Sequence, residues 1–245
     1  MQTVIDWLGH IAYDAAWERQ KELVAERKAE PALPDRLLLL EHPPTYTVGR
    51  SGRLDNLLLS RSALAKQGIG LFQVDRGGDI TYHGPGQLVG YPILNLGRFY
   101  RDQGLGYTRR YVRDLEAVII QALAPFGIAG VRHEHHRGVW VATGFGLAKI
   151  AALGIRVSGG ISSHGFALNV NPNLDHFKGI VPCGINDLGV TSMAALLHRP
   201  VTLDEVRPQL ETAFGAVFDA VFDVVHTAAS ENKRRDALAK APASQ

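Results

Sequence analysis

Ile150-Ala151-Ala152-Leu153-Gly154-Ile155-Arg156-Val157, then Ser158-Gly159-Gly160-Ile161-Ser162-Ser163-His164-Gly165 and Phe166-Ala167-Leu168-Asn169-Val170, is the stretch on which the fold turns. Ile150 to Val157 is an apolar run that reads as a strand, and Phe166 to Val170 reads as a second. What separates them is a glycine-containing polar loop, not a helix. Leu37 to Leu40, Leu88 to Leu94 and Gly138 to Val141 are further short strand-like runs, mostly bounded by glycine- or proline-rich turns. Helical periodicity stands before, within and after them. Tyr13, Ala16, Trp17, Gln20 and Val24 recur at three- and four-residue steps ahead of Pro31 and Pro34. Tyr107, Tyr111, Leu115, Val118, Ile119 and Ala122 do so before Pro125 and Gly127. Thr202 with Glu205 has the spacing of a capping box, followed by Leu203, Val206, Leu210, Phe214, Val217 and Val221. This order predicts an α+β fold with a mainly antiparallel or mixed sheet. No internal repeat or long linker interrupts it, so the expectation is a single domain over 1–228 and a flexible polar tail over 229–245.

Composition narrows the function classes. With 46% hydrophobic and 20% charged residues, the 245-residue chain is ordinary for a globular protein. The net charge of +2 comes from the end: four of 26 basic and two of 24 acidic residues fall in the last fifteen, leaving 22 of each elsewhere. A neutral body argues against a nucleic-acid face, which needs clustered positive charge. The start, Met1-Gln2-Thr3-Val4-Ile5-Asp6-Trp7, lacks the basic and apolar regions of a signal peptide. No run approaches the ~18–20 apolar residues of a membrane span. A soluble, cytoplasmic protein is expected, and the single cysteine fits a reducing compartment.

That cysteine, Cys183, stands in Val181-Pro182-Cys183-Gly184-Ile185, a turn that could present a nucleophile or simply seat a small apolar residue. The segment Arg76-Gly77-Gly78-Asp79-Ile80-Thr81-Tyr82-His83-Gly84-Pro85-Gly86-Gln87 reads either as a ligand loop, whose glycines allow close backbone approach, or as a hairpin with solvated polar groups. It carries neither the P-loop nor the dinucleotide-binding spacing. Lys149, within an apolar run, is either an outward-pointing strand residue or a desolvated amine with a lowered pKa. Gly159 to Asn169 offers backbone N–H groups for a carbonyl oxygen, or is an ordinary polar loop; no Gly-x-Ser-x-Gly elbow supports a serine hydrolase. His133-Glu134-His135-His136 lacks recognised metal-ligand spacing and reads as a polar turn, so no metal or cofactor is expected. Glu41-His42-Pro43-Pro44 reads as a strand exit.

Taken in order, these segments resemble the lipoyl(octanoyl) transferase family of lipoate biosynthesis. The resemblance begins at Leu38-Leu39-Leu40-Glu41-His42-Pro43-Pro44-Thr45-Tyr46-Thr47-Val48-Gly49-Arg50 and continues through the Arg76 to Gln87 block. It then passes Lys149-Ile150, Gly154, Arg156, Gly160, His164-Gly165, Leu168-Asn169 and Pro182-Cys183-Gly184, and more loosely Thr191-Ser192. It implies the biotin/lipoate protein ligase fold, α+β on a mixed, largely antiparallel sheet with flanking helices. It also implies an acyltransferase moving an octanoyl group from octanoyl-acyl carrier protein to a lysine of lipoyl domains, those of 2-oxoacid dehydrogenases and the glycine-cleavage H protein. Cys183 would carry the acyl group as a thioester, and Lys149 would lower the thiol pKa and move protons. Arg76, Gly77, Gly78, Asp79, Ile80, Thr81, Tyr82 and His83 would line the substrate site with Ala152, Leu153, Gly154, Gly165, Phe166 and Ala167. Two positions depart from the family pattern. Asn173 stands where an acidic residue is usual, and Phe166 is bulkier than leucine, which bears on acyl-chain fit.

The implied chemistry is self-consistent. Thioester to thioester is near balance and thioester to amide is downhill, so ATP is not required. An ordinary thiol is only a few per cent thiolate at neutral pH, and a nearby ammonium would raise that fraction. Backbone N–H groups near Gly165 or the Cys183 turn are candidates for the oxyanion site. Arg50, Arg53, Arg76 and Arg156 could steer acidic partners if they ring the mouth. The competing readings are an ATP-dependent lipoate ligase of the same fold, a non-catalytic acyl or carrier-protein binding module, and a metal site at His133, His135 and His136.

Overall fold

The computed structural model describes residues 2–100, 106–181, 189–218 and 221–226, with backbone alone for 2 and 221–226. Nine strands form the main sheet: β1 (Gln2–His10), β2 (Asp35–Glu41), β6 (Gln87–Ile93), β7 (Gly130–Arg132), β8 (Val139–Thr143), β9 (Gly146–Ser158), β10 (Ile161–Asn169), β11 (Gly189–Val190) and β12 (Val221–His226). Their order is β12-β1-β2-β6-β10-β9-β8-β7, with β11 paired to β9. The pairs β12–β1, β1–β2 and β11–β9 are parallel and the others antiparallel. Strands β3 (Thr45–Val48), β4 (Gly70–Gln73) and β5 (Ile80–His83) make a smaller sheet, in the order β4-β3-β5. The helices are α1 (Tyr13–Ala29), α2 (Arg61–Lys66), α3 (Tyr107–Leu123), α4 (Met193–Leu197) and α5 (Leu203–Phe218). The α+β expectation, with a mixed and largely antiparallel sheet, is met.

The leucine run of β2 shows why the central strands are apolar without alternation. Leu37 and Leu39 pack with Tyr111, Leu115, Leu210 and Phe214 of α3 and α5, whereas Leu38 and Leu40 pack with Ala16 and Leu23 of α1. Helices on both faces leave no side for polar residues. The small sheet builds a third cluster from Tyr46, Val48, Ile80 and Tyr82, closed by Leu64 of α2 and Ile180. At the C-terminal end of α1, Arg27 and Asp35 form a buried ion pair at 3.0 Å. Asp35 also accepts the Asn95 N–H at 2.9 Å, so one carboxylate joins α1, β2 and the exit of β6.

Several expectations need correction. Gly159 to Gly165 is not a loop: β10 starts at Ile161, and Gly159 and Gly160 alone turn the chain between β9 and β10. The Arg76 to Gln87 block is not a hairpin, because β5 pairs with β3 in the small sheet and β6 lies in the main one. The apolar stripe read through Val221 stops with α5 at Phe218, and Val221 begins β12 beside β1. The Thr202 capping box is present, Glu205 N–H donating to Thr202 Oγ1 and Thr202 N–H to Glu205 Oε1. The tail from 229 onward lies outside the described residues.

Candidate active site

Between the two sheets lies a cavity of about 390 Å³, within the range of ~300–1,000 Å³ usual for small-molecule sites. Alternation along β5 aims Thr81 and His83 into it and buries Tyr82 on the opposite side, where the Tyr82 hydroxyl meets His176 Nδ1 at 2.6 Å. Of the fourteen loop residues expected at a substrate site, Arg76, Gly78, Asp79, Ile80, Thr81, His83, Ala152, Leu153, Gly154, Gly165, Phe166 and Ala167 line the cavity. Gly77 and Tyr82 do not. Lys149 lines it too, together with Gln87, Asn169, Phe177 and Val190. Cys183 lies outside the described residues.

Arg76 is the central charge of this wall. Its guanidinium donates to the Thr47 carbonyl at 2.7 Å and to Thr47 Oγ1 at 2.9 Å, which fixes its plane against β3. The neighbouring glycines make room for this side chain: a Cβ on Gly49 would stand 2.8 Å from Arg76 Nη1, and one on Gly154 would stand 2.9 Å from Arg76 Cδ. At these two glycines the close approach is by the Arg76 side chain and by the Gly77 and Gly78 carbonyls. The Asp79 carboxylate accepts from Asn56 Nδ2 at 2.5 Å, Ile80 N–H at 2.7 Å and Arg53 N–H at 3.2 Å, which ties down the turn after β3.

A row of aromatic and imidazole groups completes the inner wall, and sequence reasoning missed most of it. Tyr13 belongs to the helical stripe of α1. Its ring stacks on His83 with centroids 5.8 Å apart, and both line the cavity. His42, fully buried, gives its Nδ1–H to the Ile11 carbonyl at 2.9 Å. That leaves Nε2 to accept from Tyr91 Oη at 2.8 Å, and Tyr91 in turn shares a hydrogen bond with Tyr13. Burial lowers the His42 pKa to about 4 against the opposing backbone bond. Burial, with His42 and Arg76 adding repulsion, holds His83 well below its ordinary value. For Tyr13 burial raises the phenol to about 12, so this wall is neutral at physiological pH apart from Arg76.

His164 is also buried and lowered, by desolvation first and then by Arg76 and Arg156. Its Nε2 lies 2.8 Å from Asp75 Oδ1, but Asp75 is simultaneously paired with Arg156, which offsets the carboxylate's pull on the imidazole. The backbone N–H of His164 goes to Gln20 Oε1 at 2.7 Å, and Gly165 sits in the ladder opposite Gly154. In this segment the His164 N–H is therefore committed within β10, whose backbone turns left-handed at that residue. Arg76 is buried and Arg156 ion-paired, so neither is a free steering charge; Arg50 and Arg53 are exposed.

Lys149 is neither outward-facing nor fully buried. Its backbone carbonyl accepts from Thr191 N–H at 3.0 Å, and its strand pairs in parallel with Gly189–Val190. A second buried bridge runs from Gln87 Nε2 to Asn169 Oδ1 at 2.8 Å and from Asn169 Nδ2 to the Thr191 carbonyl at 2.9 Å. Gly189–Val190 is therefore anchored at the cavity wall. Val181 N–H donates to the Asn56 carbonyl at 2.8 Å. Asn173, at the position where the family pattern is acidic, caps the turn at Leu174–Gly179 by accepting the Asp175 N–H.

The lipoyl protein ligase A/B catalytic domain matches residues 12–215. The chain belongs to this family. It is 48% identical over 215 residues to an octanoyltransferase of Chloroflexus aurantiacus, covering 87% of this chain and 93% of the relative. With an octanoyltransferase of Solibacter usitatus it shares 50% identity over 212 residues, covering 86% and 91%. Among solved structures, a lipoate-protein ligase A bound with ATP superposes with a TM-score of 0.71 at 18% identity, over 98% of this chain and 95% of that one. That likeness extends the lipoyl ligase A/B family's fold assignment to the observed two-sheet architecture. Among the described residues no helix is long and apolar enough to cross a membrane, and no three His, Cys, Asp or Glu side chains are grouped to hold a metal.

Proposed function

We propose that this protein takes an octanoyl group from octanoyl-acyl carrier protein onto Cys183 and passes it to a lipoyl-domain lysine, with Lys149 managing the protons. The observation that carries the reading is the place of Lys149: on the wall of a part-apolar cavity, on the strand that receives the chain six residues after its only cysteine. Family membership and the octanoyltransferase relatives supply the acyl group and the acceptor.

In the first half-reaction the Cys183 thiolate attacks the thioester carbonyl. The C–S bond to the carrier breaks, and the carrier thiolate leaves and takes the Lys149 ammonium proton, which leaves Lys149 neutral. In the second, the acceptor lysine amine attacks the Cys183 thioester, its proton passes to neutral Lys149, and the Cys183 thiolate departs as the amide forms. A charged Lys149 favours the thiolate in the first step and a neutral one serves as base in the second. Leu153, Phe166, Ala167 and Phe177 supply apolar wall for the acyl chain; Arg76, Thr81 and Asn169 supply polar groups for its carbonyl end.

Intact-mass measurement after mixing with octanoyl-acyl carrier protein, without ATP, tests this. The wild type gains one octanoyl mass that hydroxylamine removes, and Cys183→Ser gains none of that kind. No mass gain by the wild type, or an equal hydroxylamine-labile gain by Cys183→Ser, sinks the proposal. ATP–pyrophosphate exchange, absent on this reading, would instead support a ligase.

A further inference from the structure

Lys149 has a neighbour that neither the motif nor the reaction accounts for. Its Nζ lies 4.7 Å from the centre of the Trp140 ring. Trp140 is buried in β8 directly across from Lys149, and a local irregularity produces that pairing. Val139 pairs with Ala151 and Trp140 with Lys149, so Ile150 is one residue too many on β9. A bulge of this kind re-aims side chains and is common beside active sites. Here it sets the indole and the ammonium on one side of the sheet.

Two further contacts fix the pair. Trp140 Nε1 donates to the His136 carbonyl at 3.3 Å, which holds the indole edge. Gly138, at φ +127°, leaves open the space beside the lysine stem: a Cβ there would stand 3.3 Å from Lys149 Cε and 2.7 Å from the Ala151 carbonyl oxygen. The His133 and His136 rings pack on the same indole, with centroids 5.2 and 6.1 Å away. The histidine cluster that looked like a metal patch is thus part of the frame around Trp140. His135, His136 and Arg137 line the cavity with Lys149 on that side; burial first, then His133 and Lys149, lowers the His136 pKa.

We propose that Trp140, seated by the bulge and by Gly138, is a positioning residue that holds the Lys149 ammonium at the cavity wall through the face of its ring. An aromatic face attracts an ammonium and offsets part of its lost hydration, so the ring both orients Lys149 and keeps it charged until the thiolate has formed. The proposal rests on the Cys183–Lys149 reading, and its test separates the two.

The rate of Cys183 alkylation by iodoacetamide is measured against pH in the full-length wild type, Trp140→Phe, Trp140→Leu and Lys149→Ala. Phe and Leu both lose the bond to His136, so the difference between them reports the ring face. Trp140→Leu is expected to alkylate about fivefold more slowly near neutral pH, with its profile moved to higher pH, and Trp140→Phe to stay closer to wild type. A wild-type profile for Trp140→Leu beside a displaced one for Lys149→Ala overturns the positioning role and leaves the Cys–Lys reading standing. Wild-type profiles for both overturn the two together. A readout independent of any tryptophan variant folding is the Lys149 Cε–H resonance in the wild type, assigned with Lys149→Arg. Ring current from Trp140 should move it upfield of the other lysines, and a position among them refutes the contact.

Discussion

Stability should fall steeply between pH 6.5 and 5, because the inner wall is built on imidazoles that the fold keeps neutral. His42 falls from an ordinary 6.5 to about 4, chiefly through burial, and His83 and His164 are lowered for the same first reason. In each case the folded pKa lies below the unfolded one, so the unfolded chain takes up protons first. The stabilisation is complete above pH 6.5 and is lost as pH falls toward the folded value. For His42 the gap corresponds to ~3 kcal/mol between pH 6.5 and about 4, at up to ~1.4 kcal/mol per pH unit, so at most ~2 kcal/mol of it is lost by pH 5. With a urea dependence of ~3 kcal/mol per molar, that slope moves the unfolding midpoint by ~0.5 M per pH unit for each such histidine. The assay is urea unfolding followed by far-UV circular dichroism at pH 7, 6 and 5. His42→Gln lowers stability at pH 7 and flattens the pH slope by about one histidine's share. A midpoint independent of pH across this window, or a His42→Gln slope equal to wild type, would refute the argument.

Other perturbations have equally definite outcomes. Arg27→Ala removes the main counter-charge of fully buried Asp35, leaving Arg98 Nη1 at 3.7 Å, and should cost ~3–5 kcal/mol in thermal or urea unfolding; a loss under ~1 kcal/mol would show the pair to be dispensable. Gly90→Ala drives its Cβ into the Phe166 ring, the nearest atom 2.2 Å away, at a cost of ~1–3 kcal/mol. Adding Phe166→Leu should recover part of that loss, and strict additivity in the double variant would mean the ring is not the obstacle. Thr202→Ala should cost ~1 kcal/mol by removing the oxygen that accepts the Glu205 N–H, measured by the same unfolding curves.

What could be read from the chain follows the range of the interaction concerned. The β2 leucines and the α3 stripe declare themselves because each answers to packing on a whole face. Strand β1 did not, since Asp6 breaks its apolar run and is offset by Arg36, 2.7 Å away on β2. Strand β12 was hidden as well: Val217 and Val221 keep the helical step of α5, yet the pairing of β12 with β1 joins opposite ends of the chain. At the site, Arg76, Thr81, His83 and Lys149 stand in segments dense in chemistry and were legible as candidates. Tyr13 and Tyr91 stand in ordinary apolar patterns, and it is the meeting of α1 with β6 that makes them wall residues. Tyr82 went the other way, because four residues of β5 alternate and half of them must face the small sheet's core.

His164 shows how the two sheets come to share one cavity. Its neighbours Ser162 and Phe166 lie toward the α3 and α5 side, where Ser162 stands beside Tyr111 and Phe166 joins that core. Strict alternation would put His164 there too, yet its ring packs with Trp17 and Tyr91 on the α1 side. The backbone makes that turn at φ +53°, a left-handed conformation that costs a side chain of this size ~1–3 kcal/mol. The Gln20 amide oxygen offsets the cost at the N–H and the Asp75 carboxylate at Nε2. Asp75 also binds Arg156 of β9, and the next two residues add the Arg76 bonds to Thr47 and the Gly77 N–H bond to the Ile155 carbonyl at 2.8 Å. Three consecutive residues after β4 thus fasten the small sheet to β9 and β10 along the cavity's edge. Because these bonds are made by protein groups alone, the wall is set before a substrate arrives, and binding energy is not needed to order it.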